Sequence, residues 1–167
     1  AFSSVIGTLM ENVTLKISSE FQPELSDFER RWSDSVKGIL LSSPANPTGV
    51  VVRKSNLRQL KKFVDKKQGF LIVDEIYQGI HLGNRSYESA LAVDQQIYIL
   101  NSFSKYYSMT GWRLGWVVVP YETAEFFTRL AQNIFLAPNT VSQYAALEAF
   151  NDQCLAIHED RVQIVSQ

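Results

Sequence analysis

Cysteine is nearly absent: Cys154 stands alone in 167 residues, so no internal disulfide can form, and a reducing, cytoplasmic compartment is the expectation. Cys154 itself is expected to be a small buried residue near a helix start. Histidine is almost as scarce. His81 and His158 have no metal-ligand spacing and no carboxylate cluster beside them, so no metal site is read and both are expected to be structural or solvent-facing. No apolar run is long enough to cross a bilayer, and no basic segment followed by an apolar stretch marks a leader. Because the chain opens on Ala1 rather than Met, an upstream segment is expected. An excess of one charge is missing too. Sixteen Lys and Arg against 17 Asp and Glu leave a formal net charge of -1, which argues against nucleic acid or an anionic membrane as partner and for small-molecule chemistry. There is no repeat, linker or low-complexity stretch.

What the chain does have is apolar material, 46% of its residues, enough for one packed core. Residues 13–18 alternate apolar and polar, as a half-exposed strand would, and Leu25, Phe28 and Trp32 then share a helical face. Residues 37–42 read as a buried strand. Ser55 is the expected N-cap of a helix through Lys67, with Leu57, Leu60, Phe63 and Val64 inward, lysines outward and Gly69 at its end. Residues 70–73 and 97–100 read as parallel strands covered on both sides by helices. Residues 115–120 follow too closely for a helical crossover and are expected to run antiparallel. Residues 123–133, 140–151 and 155–166 have helical spacing. The fold class is α/β: three layers, a mostly parallel sheet with helices on both faces and one antiparallel strand.

Ligands on open α/β sheets bind beyond the carboxyl ends of the strands. Three strands here run into polar residues: "LLSSPANPTG", "LIVDEIY" and "ILNSFSK". Asn46, Asp74, Tyr77, Ser102, Ser104 and Lys105 should therefore converge on one rim, with Arg113 returned to it by a turn at Gly111. A lysine near other cations and partly out of water offers its neutral amine to an aldehyde, and Lys105 with Arg113 close by fits that role. Two serines and an arginine supply donors for a phosphate. An aspartate can hold a ring nitrogen protonated, while an asparagine amide and a tyrosine hydroxyl can bond a phenolate. Aldehyde, phosphate, pyridine nitrogen and phenolate together describe pyridoxal 5′-phosphate. Singly, each residue has an ordinary alternative: Asn46 as a turn former, Asp74 and Glu75 as caps, Tyr77, Tyr106 and Tyr107 as packing aromatics. Their joint occurrence at three strand ends favours the ligand.

The segments "SPANPTG", "VDEIY" and "SFSKYYSMTGWRLGW", in this order and spacing, resemble the class I/II aminotransferases, fold-type I enzymes that use pyridoxal phosphate. The resemblance runs from about Phe21 to Phe150. It implies a Schiff base on Lys105, Asp74 as partner of the pyridinium, and Asn46 and Tyr77 on the phenolic oxygen. It also implies Ser102, Ser104 and Arg113 on the phosphate, with Gly111 and Gly115 as turn glycines around the arginine. Lys105, Asp74 and Tyr77 are then the catalytic residues. The form "MTGWR" is most similar to the branch that includes many bacterial aspartate, alanine and aromatic aminotransferases.

Enzymes of this family are more than twice as long. Residues 1–167 are thus expected to be the central part of the large cofactor-binding domain, inactive alone, lacking an upstream phosphate-binding turn and a downstream small domain with its carboxylate-gripping arginine. A homodimer acting on an amino acid and a 2-oxo acid is implied for the intact protein. A lyase of the same fold and an aminotransferase-like sensor domain of a transcription regulator remain as alternatives.

Overall fold

The computed structural model describes residues 10–80 and 87–165; His81 lies outside them. The run after Lys37 forms strand β1, Gly38–Ser42. A loop through Pro44, Asn46 and Gly49 leads to helix α2, Lys54–Lys66, which follows the short helix α1, Leu25–Glu29. Strands β2, Phe70–Asp74, and β3, Tyr98–Ser102, continue the sheet in parallel, and β4, Gly115–Val118, closes it antiparallel to β3, in the order β1-β2-β3-β4. Gly115 is required where β4 begins, since a Cβ there would lie 2.7 Å from the Asn101 carbonyl oxygen. Three helices end the chain: α3, Ala124–Phe135; α4, Thr140–Glu148; and α5, Asp152–Val165.

Strand alternation decides the layers. Ile39, Leu71, Val73 and Ile99 point to one face, where Leu57, Leu60, Phe63 and Val64 of α2 bury against them. Each such side chain contributes about 1.5–3 kcal/mol, which fixes the face that α2 turns inward. Trp32, just beyond α1, meets Phe63 edge to face at 5.1 Å. On the opposite face, Phe127 of α3 reaches Tyr98 at 5.8 Å, while Leu40, Phe70 and Leu100 stay exposed. Helices therefore reach both faces, but the second is largely open. A second cluster, Phe103, Met109, Ala146 and Ala149, packs α4 under the turn that follows β3.

Several local expectations are corrected. Residues 13–18 form no strand; the chain there enters a 3-10 turn, Ile17–Ser19, because no described strand offers its backbone a ladder partner. Arg53, not Ser55, holds the N-cap position of α2, and it makes no side-chain cap. Lys61 is only 7% exposed, its ammonium 2.6 Å from Asp65 and 3.9 Å from Asp94, so one lysine of the outer face is tucked in beside carboxylates. The left-handed residue ending α2 is Gln68, with the Gly69 N–H donating to Val64. Cys154 is half-buried rather than buried, and its N–H is capped by Asn151. No described helix is long and apolar enough to cross a membrane.

Candidate active site

Parallel strands bring their carboxyl ends to one edge, and the register aligns Ser42 with Asp74 and Asp74 with Leu100. Asp74, Leu100 and Ser102 consequently share the sheet face turned away from α2. Asp74 is half-buried; its Oδ1 accepts the Ile76 N–H at 3.0 Å, which holds the carboxylate at the strand end. Beyond β1, the loop is folded by Ala45 N–H to the Val50 carbonyl, Gly49 N–H to the Ala45 carbonyl, and Val52 N–H to Ser43 Oγ. The loop delivers Asn46, whose Nδ2 donates to the Tyr77 hydroxyl at 3.1 Å. Residues 31 apart in sequence are thus joined into one polar edge.

Lys105 follows β3 in a turn built from Ser108 N–H to the Lys105 carbonyl and Met109 N–H to the Phe103 carbonyl, both at 3.0 Å. Its Nζ lies over the Tyr77 ring, 5.5 Å from the centroid. Ser102 Oγ accepts the Ser104 N–H at 2.9 Å and stands 2.8 Å from Ser104 Oγ, so the two hydroxyls form a pair. Thr110 Oγ1 donates to the Ser104 carbonyl at 2.6 Å. Arg113 is exposed, at φ 53°, and its Nη1 donates to the Thr110 carbonyl at 2.8 Å. The expected turn at Gly111 is present as a 3-10 turn, Thr110–Trp112, that runs into Arg113; the left-handed positions around it are Ser108 and Arg113, while Gly111 itself has no positive φ. Arg113 is followed by Leu114, whose carbonyl lies 3.2 Å from Ser102 Oγ. The structure thus joins Asn46, Tyr77 and Lys105 directly, pairs Ser102 with Ser104, and sets Asp74 and Arg113 on flanking positions of the same edge.

Sequence reasoning passed over three supports. Gln22 is buried and clamps the far end of the Asn46 loop, accepting from Arg53 N–H and donating to the Val51 carbonyl, both at 2.9 Å. Thr110 fixes Ser104, and only its position inside the serine-rich turn hinted at that. Glu75, 4% exposed, crosses under the site to accept from Ala90 N–H at 2.6 Å and from Ser89 Oγ. The sequence offered the capping role, but not its distant target.

Burial pushes the Glu75 carboxyl above its ordinary range, against the opposing pull of the Ala90 and Ser89 donors. A raised carboxylate favours the fold when protonated, and that contribution is lost as pH rises through the folded value. Glu75→Gln keeps the acceptor oxygen and removes the desolvated charge. The variant should therefore have the higher urea midpoint at pH 7, with the gain shrinking toward pH ~4, where the unfolded carboxyl also protonates. An unchanged difference across that range would show that charge burial at Glu75 is not what separates the two.

The chain has relatives of known family. The family model for aminotransferase class I and II matches residues 7–166. A (5-formylfuran-3-yl)methyl phosphate transaminase of Methanocaldococcus jannaschii is 38% identical, over 79% of this chain and 36% of its own. A valine–pyruvate aminotransferase of Mycobacterium tuberculosis is 33% identical, over 92% of this chain and 39% of its own. The crystal structure of an aminotransferase from Mycobacterium tuberculosis superposes with a TM-score of 0.88 at 32% identity, covering 98% of this chain and 45% of that one. The chain spans less than half the length of these relatives. With the family model matched along nearly its whole length, the chain belongs to the aminotransferase class I and II family.

Proposed function

We propose that residues 1–167 are the central part of the large domain of a pyridoxal 5′-phosphate-dependent aminotransferase that moves an amino group between an amino acid and a 2-oxo acid. The observation that carries this reading is the placement of Lys105 Nζ over the Tyr77 ring, beside the Asn46–Tyr77 hydrogen bond and the Ser102–Ser104 pair. The donor set fits the cofactor: a hydroxyl and amide already bonded to each other for the phenolic oxygen, paired hydroxyls with Arg113 for the phosphate, a carboxylate for the ring nitrogen and an amine for the aldehyde. When bound, pyridoxal phosphate supplies an aldehyde for an amine and a ring that takes up the electrons of a bond broken at Cα.

The chain's own residues do the rest. Lys105 Nζ would be the amine that meets the cofactor's aldehyde, and as a free amine it would take the substrate's Cα proton as general base and return it. Asp74 keeps the ring nitrogen protonated. Tyr77 and Asn46 would bond the phenolic oxygen. Ser102, Ser104 and Arg113 anchor the phosphate, Arg113 through a fork of donors. On this reading the N-terminal part of the large domain and a C-terminal small domain lie outside residues 1–167, and the isolated chain is expected to bind the cofactor weakly without turnover. A second copy completes the assembly, which accords with the exposed apolar side chains Phe126, Leu130, Ile134, Tyr144 and Leu147 on α3 and α4.

The test is amino-group transfer by the longer protein carrying this segment, loaded with pyridoxal phosphate and assayed against a panel of amino acids. Oxo-acid release that depends on a 2-oxo acid acceptor for repeated turnover is expected. Ammonia release without an acceptor would assign β-elimination instead.

A further inference from the structure

The residue after the lysine is gripped from three sides. The Tyr106 hydroxyl donates to the Glu159 carboxylate of α5 at 2.5 Å, across 53 residues of sequence. Its ring lies against His158 of the same helix, with centroids 5.4 Å apart, and edge to face with Tyr107 at 5.0 Å. On its other side the ring covers Gly79, where φ is +90° and a Cβ would come within 2.6 Å of it. Only glycine suits that position, on conformational and on steric grounds. Gly79 belongs to the turn that begins at Tyr77, closed by the Ile80 N–H to the Tyr77 carbonyl. One aromatic ring therefore touches the Tyr77 turn, the lysine turn and α5 together. A second tie lies two residues on: Arg161 Nη1 donates to Ser108 Oγ at 3.0 Å, at a residue whose φ is +56°. His158, 7% exposed, makes no hydrogen bond through Nδ1 among the described residues; it serves here as a packing surface between Tyr106 and Tyr107.

Taking Lys105 as the reactive amine, as proposed above, we infer that Tyr106 is its positioning residue. The Tyr106–Glu159 hydrogen bond, with Arg161 on Ser108, makes α5 a strut that sets the distance between the lysine turn and Tyr77. A lysine side chain has four rotatable bonds, so its ammonium can be aimed only if the root of the chain is fixed. Ring contact with Gly79 sets that root against the Tyr77 turn, and the hydroxyl tie stops the ring from sliding. Small displacements matter, because near-attack geometry tolerates little error.

The test uses Tyr106→Phe, Glu159→Ala and Glu159→Gln in the longer protein carrying this segment. Amide hydrogen exchange without cofactor reads the latch itself. Tyr106→Phe and Glu159→Ala should speed exchange at the Ser108 and Met109 amides about tenfold, the ratio expected for losing one hydrogen bond to a charged acceptor. Amides of β2 should hold their rates, and Glu159→Gln, which retains an acceptor oxygen, should stay close to the parent. Incubation with pyridoxal phosphate, borohydride reduction and peptide mapping then reads the lysine: the share of label on Lys105 should fall in the first two variants and recover in Glu159→Gln. Unchanged exchange in the turn, or an equal rise in β2, overturns the inference. So does an undiminished share of label on Lys105 in both variants. If the parent protein places no label on Lys105, the functional reading fails with it, and the exchange rates still decide whether the latch exists.

Discussion

Lys105→Ala in the longer protein carrying this segment is expected to lower amino-group transfer by about 10⁴-fold or more, beyond the usual contribution of a general base, because in the proposed role the same amine would also hold the cofactor. The change removes only the side chain over Tyr77. The turn itself is closed by the backbone bonds from Ser108 and Met109 and by Thr110 on Ser104, so its shape should persist. Cofactor should still associate through Ser102, Ser104 and Arg113, without a covalent link. Rates within tenfold of the parent would remove Lys105 from the chemistry.

Asp74→Ala is expected to separate binding from chemistry. The reducible link to Lys105 should survive, because no atom of Asp74 takes part in it, while loss of the carboxylate weakens the hold on the ring proton. Exchange of the substrate's Cα hydrogen with solvent should slow by at least about 10²-fold, equivalent to ~2.7 kcal/mol of transition-state stabilisation. Deuterium wash-out from an α-deuterated amino acid measures it. Near-parental wash-out with intact labelling would mean that some other group protonates the ring.

The parts of this account that were legible in the sequence depend on short-range signals. Apolar strands bounded by polar residues predicted β1, β2 and β3, and the short connection to residues 115–120 predicted the antiparallel β4 that is found. The spacing of Leu57, Leu60, Phe63 and Val64 gave the inner face of α2 correctly. Convergence of Asn46, Tyr77 and Lys105 followed from where parallel strands end. What misled was pattern without partner: residues 13–18 alternate well enough for a strand, but a strand needs a neighbour to satisfy its backbone. Lys61 reads as a surface lysine because composition cannot show that Asp65 and Asp94 lie beside it. Gly111 marked the turn correctly, but its identity did not show that the left-handed positions fall to Ser108 and Arg113. Tyr106 read as an ordinary packing aromatic because its defining contacts, Gly79 and Glu159, lie 27 and 53 residues away and carry no local mark.

The central claim is that Lys105 is the amine that meets the cofactor. It is tested most directly by reducing the loaded longer protein with borohydride, digesting it and locating the pyridoxyl group by mass spectrometry. The account predicts one dominant labelled peptide containing Lys105, lost in Lys105→Ala. Label concentrated on another lysine, or spread evenly over surface lysines such as Lys62 and Lys66, would contradict it.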